Sequence, residues 1–355
     1  MSDASRSEKA ETVIVARNRR PGVLRRLPLG RLIAVLAVLA FPLVARPFQL
    51  DMACQIFLAC VGSLSLALLT GIAGQISLGH AGLLAAGAYS VAILYQELHV
   101  PFWITIPAAA VTGALFGLVF GLPSLRLRGL YLAISTLALH FVVVYFGGEY
   151  EAMRSYSTGI IVDPPSLFGH ELLDGRAWYF VSLLAAALAY LLCKNLLQSS
   201  TGRAWCALRA NETVAEALGI PIARYKLLAF VISSSMTSVA GALFAYYRGF
   251  VSVEAFSLYL SIQYIAMIII GGMGSLRGAL LGATFVILMP YAIEGTVLSI
   301  PGSDQYAGTI FALIYASFGA VMIGFLMFEP LGLAGIWDRL ISKYNRHQAS
   351  RGIQP

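Results

Sequence analysis

Gln75, Ser77 and His80 lie close together in a stretch, TGIAGQISLGHAGLLAAG over 70–87, that is otherwise mostly glycine, alanine and aliphatic. An amide, a hydroxyl and an imidazole at this spacing can hydrogen-bond a passing polar solute, or one another. Gly71, Gly74, Gly79, Gly82 and Gly87 admit two readings. Small residues let membrane helices approach closely. Glycine also permits a broken or re-entrant helix whose freed backbone groups line a cavity. The polar side chains favour the second, a path bordered by Gly74, Gln75, Ser77, Gly79 and His80. RLRGLYLAISTLALHF, over 126–141, supplies a further polar set, Tyr131, Ser135, Thr136 and His140. That set faces either the path or a neighbouring helix.

GRAWCALRANETVAEALGI, Gly202 to Ile220, is different in kind: charged, soluble-looking and placed between two long apolar runs. On a helical wheel Ala204, Ala207, Leu208, Asn211, Val214, Ala215 and Leu218 share one face, while Arg209, Glu212 and Glu216 gather on another. Asn211 can instead cap a second short helix beginning at Glu212. Gly219 followed by Pro221 is a stop signal. The segment is therefore one short amphipathic helix or two in an L. Its glutamates and modest apolar face suit a protein groove better than a lipid surface.

Several chemistries are excluded. All 17 acids fall in tails, in loops or at the ends of apolar runs. The centres of those runs carry no Lys or Arg either. Buried charge usually marks an ion or proton pathway, so its absence weakens an ion-coupled transporter. His80 and His140 read as packing residues more readily than as a proton relay. The chain has no GxxxxGK[ST] phosphate loop, and GGMGSLRG lacks the Lys-Ser/Thr end. No metal-ligand spacing and no Ser–His–Asp or Cys–His arrangement is present. Cys54, Cys60, Cys193 and Cys206 are scattered, form no CxxC pair and read as filler. No cofactor is expected.

The elements that must position these residues follow from composition. Of 355 residues, 59% are apolar and 12% charged, against roughly 25% charged in a soluble domain. The chain reads as an all-α integral membrane protein. A span needs about 20 apolar residues. About ten transmembrane helices are predicted, near 30–47, 52–71, 77–96, 102–122, 129–147, 177–195, 226–247, 257–272, 276–293 and 308–328; the eighth and ninth are short and abut. With both termini cytoplasmic, 20 of the 24 Lys and Arg fall on the cytoplasmic side. Only Arg46, Arg154, Arg176 and Arg248 fall opposite. The net charge of +7 is thus a topology signal, not a nucleic-acid footprint. Residues 1–28 read as a basic cytoplasmic tail, either an arm near anionic membrane lipid or, the preferred reading, a solvated tail that only sets topology. The first span reads as a retained anchor, not a cleaved signal peptide. The transmembrane domain runs over 29–330, with a periplasmic loop at 148–176 and a cytoplasmic loop at 196–225; a second cytoplasmic tail covers 331–355. The acids of 148–176 read as plain surface or as a partner contact. SLGHAGLLAAG from Ser77 is weakly echoed by SLRGALLGA from Ser275, which allows an internal duplication.

TGIAGQISLGHAGLLAAGAY, LRLRGLYLAISTLAL, GRAWCALRANETVAEALGIPIARYKLLAFVISS and AGALFAYYRGFVSVEAFSLYLSIQYIAMIIIGGMGSLRGALLGA resemble, in that order, blocks of the permease subunit of branched-chain amino acid ABC importers, the LivM type. The resemblance covers about 70–290. It implies an ABC-importer permease fold and a non-catalytic subunit in the bacterial inner membrane. It also implies partners: a LivH-like second permease, two ABC ATPase subunits and a periplasmic substrate-binding protein. The segment at 202–220 resembles the family's cytoplasmic coupling loop, a degenerate EAA motif in which Ala215, Glu216 and Ala217 with Gly219 stand for the pattern. The spacing departs from the fuller consensus. By this resemblance Arg203, Leu208, Arg209, Glu212, Glu216 and Gly219 engage the ATPase; Ser135 and Thr136 join the expected path on their polar character, not on the resemblance. Leucine, isoleucine and valine are the implied substrates; urea, short-chain amides and small carboxylates are alternatives within the family, and an ion-coupled transporter outside it.

Overall fold

The computed structural model describes residues 29–127, 129–154, 159–167, 170–171, 174–298, 307–329 and 331–340. The tail at 1–28, parts of the 148–176 loop and residues 341–355 lie outside the described residues. The chain divides after Arg46 into two units. The first holds α1 (Leu29–Val44), which contains Pro42.

The second unit is a helical bundle. It comprises α2 (Pro47–Leu66, continued by a π-helical turn, Ala67–Ile72), α3 (His80–Leu98), α4 (Phe102–Ser124), α5 (Leu130–Met153), α6 (Gly175–Gln198), α7 (Ser200–Ala210), α8 (Glu212–Ala217), α9 (Ile222–Arg248), α10 (Leu258–Gly271), α11 (Leu276–Leu298) and α12 (Ala307–Phe328). Residues 332–340 are also helical. Among the described residues, seven helices are long and apolar enough to cross a membrane. They match the second to seventh and the ninth predicted spans. The eighth is α10, with 14 residues, a length of ~21 Å against a hydrocarbon core of ~30 Å. The all-α membrane class therefore holds, while the count of ten crossings does not follow from helix length.

Small residues set how the helices meet. Gly113, Gly117 and Gly121 form one stripe of α4, and Cβ atoms there would lie 2.4 Å, 2.8 Å and 2.6 Å from Ser238, Ser234 and Leu227 of α9. A Cβ on Gly87 of α3 would meet Ser238 O at 1.9 Å, and one on Gly282 of α11 would meet Met267 O at 1.8 Å. Backbones this close exclude any larger residue. Hydroxyls then tie the helices together. Ser65 Oγ and Thr237 Oγ1 are 2.8 Å apart, and Ser233 Oγ donates to Ser65 O. Ser63 Oγ donates to Ala279 O and Ser238 Oγ to Leu83 O. Such bonds contribute about 0.6 kcal/mol each, so glycine-mediated packing dominates.

The pairing of α4 with α9 sorts the loops. Gly121 meets the start of α9, and Thr105 Oγ1 lies 2.7 Å from Tyr246 Oη near its end. One end of the bundle thus carries 199–221 and 125–129. The other carries the described residues of the 148–176 loop and 249–257. At this second end β1 (Ile160–Ile161) pairs antiparallel with β4 (Phe250–Val251), and β2 (Ser166–Leu167) with β3 (His170–Glu171). These short strands are the departure from a purely helical chain. They let a polar backbone fold back over helix ends with its groups paired. Glu149, Asp163 and Asp174 are exposed, as surface acids would be, while Tyr95 Oη donates to Asp163 Oδ2 and Gln96 Nε2 to Ile161 O. Glu151 is 8% exposed and accepts from Tyr89 Oη at 2.7 Å.

Candidate functional site

The coupling segment takes the two-helix form. Ser199 caps α7 by accepting from Gly202 N. Gly202 is fixed by the tight turn out of α6, since a Cβ there would meet Leu196 O at 2.5 Å. Asn211 breaks the helix with φ −164° and ψ 112°, and its Oδ1 accepts from Val214 N at the start of α8. Gly219 adopts φ +80°, which glycine reaches without strain, and its N–H closes on Glu216 O. Pro221 then leads into α9.

The inward face differs from the wheel. Ala204, Leu208 and Ala215 are buried as expected, but Val214 is 55% and Leu218 74% exposed. The turn at Asn211 rotates α8 relative to α7, so one wheel cannot describe both. The anchor is Trp205, fully buried, with Nε1 donating to Tyr225 O at 2.8 Å. An indole amid small and charged residues was the sequence signal for it. Leu208 packs inside this chain and is not presented to a partner. Glu212, placed on the charged outer face by the wheel, instead pairs with Lys226 Nζ at 2.6 Å. Arg209 is exposed, yet its guanidinium donates to Gly71 O. Arg203, Glu216 and Gly219 are exposed.

The glycine-rich stretch contains a helix break. The π-turn ends at Ile72, residues 73–79 are non-helical, and α3 starts at His80. Gly74 has φ +73°. The freed backbone is satisfied by side chains from elsewhere: Leu78 N donates to Thr136 Oγ1 and Ala81 N to Ser261 Oγ. Gln75 Nε2 donates to Lys226 O, and Thr70 Oγ1 to Gln75 O. His80 packs against Tyr264 with ring centroids 4.7 Å apart and the planes inclined at 55°, and the Tyr264 ring occupies the place a Cβ on Gly62 would take. Because Gly62 lies well inside α2, α3 begins within the bundle and not at its end.

Gln75, Ser77, His80 and Thr136 are all at most 4% exposed and lie in or against this break. Among the described residues, Gln75 Oε1 and His80 Nε2 have no hydrogen-bond partner. A buried polar atom without a partner is costly, and it leaves capacity for a polar solute. Ser135 is half-buried and one helical step, about 100°, round α5 from Thr136. Gly79 serves packing: a Cβ there would meet Thr136 O at 2.3 Å. His140 is buried against Gly82. Sequence reasoning missed Ser261, Tyr264 and Lys226, which come from helices distant along the chain. Among the described residues, no group of three His, Cys, Asp or Glu could hold a metal.

Residues 49–328 match the family described as branched-chain amino acid transport system / permease component. The chain is 33% identical over 282 residues to the high-affinity branched-chain amino acid transport system permease protein LivM of Salmonella typhimurium, across 72% of this chain and 66% of that protein. The protein of the same name from Escherichia coli is 34% identical over 278 residues, across 72% of this chain and 65% of its own length. A probable branched-chain amino acid transport permease protein LivM of Methanocaldococcus jannaschii is 28% identical over 244 residues, across 65% of this chain and 67% of its own length. The chain thus spans slightly less than two thirds of the two bacterial relatives. No solved structure matches it.

Proposed function

The chain belongs to the family of permease components of branched-chain amino acid transport systems, and from that premise we propose that it forms half of the translocation path of an ATP-driven importer for leucine, isoleucine and valine. It carries no catalytic group. Two ATPase subunits hydrolyse ATP, a LivH-like permease completes the path, and a periplasmic binding protein delivers substrate. The chain crosses the bacterial inner membrane about ten times, with both termini cytoplasmic. The distribution of Lys and Arg supports that orientation, with the α7–α8 end inside.

The observation that carries this reading is the exposed surface of α8. Val214 and Leu218 stand one helical turn apart and open to solvent, with Glu216 between them and Arg203 exposed on α7. A capped, well-anchored helix pair with apolar side chains outside suits an ATPase groove. ATP closes the ATPase dimer, the helix pair moves with its groove, and rigid-body rocking opens the path alternately to each side.

The path is neutral. Gly74, Gln75, Ser77, Gly79, His80, Ser135 and Thr136 border it, with Gly79 acting by close packing. Arg209 lays its stem over Gly74 but spends its charge on Gly71 O, so no charged side chain is placed to grip the zwitterion. A carboxylate meets the N-terminal end of α3, where a helix dipole favours negative charge. Apolar walls suit branched aliphatic side chains, and most selectivity lies in the binding protein.

Reconstitution with the second permease, the ATPases and the binding protein tests this. ATP-dependent uptake of labelled leucine is expected. Uptake of urea or amides in its place changes the substrate. Uptake by this chain alone on an ion gradient overturns the importer reading. Exchanging the binding protein for a docking-competent one of different specificity should redirect transport; continued rejection of the new substrate places selectivity in these helices.

A further inference from the structure

Two glycine turns meet beside the coupling segment. The first, Gly71 to Gly74, joins α2 to the break before α3. The second, Gly272 to Gly274, joins α10 to α11. A Cβ on Gly71 would lie 2.9 Å from Gly274 N, so the two backbones touch. Gly74, Gly272 and Gly274 have φ of +73°, +112° and +92°, conformations that favour glycine. Arg209 fills the seam. Its Nη1 donates to Gly71 O, and its stem lies over Gly74, where a Cβ would meet Arg209 Cγ at 3.1 Å. A Cβ on Gly274 would meet Arg209 Nη1 at 2.9 Å. The glycines therefore leave room for the inner side of this side chain, which stays exposed on its outer side.

The other anchors of the segment, Trp205 to Tyr225 O and Glu212 to Lys226, run to the start of α9. Arg209 reaches the two turns instead. We propose that Arg209 is a positioning residue that ties α7 to both glycine turns, so that displacement of the coupling helices shifts the starts of α3 and α11 together. The charge and the planar fork give one strong bond to a carbonyl at a helix end, where a cation is favoured. The long stem transmits the displacement sideways to Gly74. Because α3 begins within the bundle, movement of its leading turn changes the lining of the path directly. The echo of Ser77 and Ser275 falls on the two segments that follow these turns.

This inference rests on the importer reading, and the test separates the two. The full complex is reconstituted with wild-type chain, Arg209→Met, Arg209→Lys and Arg224→Ala. Methionine keeps an apolar stem over Gly74 and removes the donor, so the fold is retained; lysine restores a donor. Arg224 is exposed on the first turn of α9 and serves as the control. Substrate moved per ATP hydrolysed is the readout, since a purely structural defect lowers the amount of active complex without changing that ratio. Arg209→Met is expected to lower the ratio at least tenfold, Arg209→Lys to recover a third or more of it, and Arg224→Ala to stay within twofold. Spin labels at Ile76 and Ala217, both exposed, are expected to change distance on ATP binding in wild type and not in Arg209→Met. An unchanged ratio and an unchanged label response in Arg209→Met overturn the inference. So does loss of assembly in Arg209→Met with a normal ratio in whatever complex remains. If the wild-type complex itself moves no substrate, the importer reading has failed instead.

Discussion

Lys226 Nζ lies 2.6 Å from Glu212 Oε1, and this pair joins the first turn of α9 to the first turn of α8. The lysine side chain is 7% exposed and the glutamate 24%. Removing one partner leaves a nearly buried charge, which costs 3–5 kcal/mol when burial is complete. With the glutamate partly solvated, Lys226→Met should destabilise by about 2 kcal/mol. Adding Glu212→Gln should return much of that loss. Thermal melting of the detergent-purified complex checks it; additive losses in the double variant would show that the pair does not interact.

Trp205 should be the most sensitive position of the coupling segment. Trp205→Ala removes a fully buried indole and should cost about 3–5 kcal/mol. Trp205→Phe keeps most of the packing and loses the bond to Tyr225 O, at about 1 kcal/mol. Limited proteolysis should cut 199–221 readily in the alanine variant only. Equal protection in both would relocate the anchor.

Neighbouring leucines should behave in opposite ways. Leu218→Asp alters an exposed side chain, so melting should shift little, within about 0.5 kcal/mol. ATP-driven uptake should nevertheless fall at least tenfold, and Glu216→Lys should act alike. Leu208→Asp buries a carboxylate and should abolish folded complex on size-exclusion chromatography. Normal uptake by Leu218→Asp and Glu216→Lys would remove α8 from the ATPase contact.

Cysteines at Gln75 and Ser77 should resist small polar thiol reagents at rest, because both positions are buried. During ATP turnover with the binding protein and substrate present, labelling should rise severalfold. Labelling that is equally slow in both conditions would mean that this stretch only packs.

Gly87→Ala and Gly295→Ala make a matched pair. A Cβ on Gly87 would sit 1.9 Å from Ser238 O, whereas among the described residues nothing lies within 4 Å of one on Gly295. The first should abolish folded protein and the second should melt within ~1 kcal/mol of wild type, since alanine is the better helix former. Fluorescence-detected size exclusion compares them directly.

Composition and periodicity determined much of this protein. Low charge and long apolar runs require a helical membrane bundle, because backbone groups must be paired within each helix. Asn211, Gly219 and Pro221 are legible as capping and stop signals that allow either one coupling helix or two, and the glycines of 70–87 allow either close packing or a helix break; the fold decides for the second in each case. What they could not determine is which side chains meet. Trp205, Arg209, Glu212 and Lys226 are all visible as residue types, but a wheel drawn through Asn211 misplaces Val214 and Leu218 because one dihedral pair reorients the second helix. Whether Arg209 faces a partner or a glycine groove depends on Gly71 and Gly274, residues 138 and 65 positions away. Spacing along a chain fixes direction within one helix; only the packing of several helices decides what stands opposite.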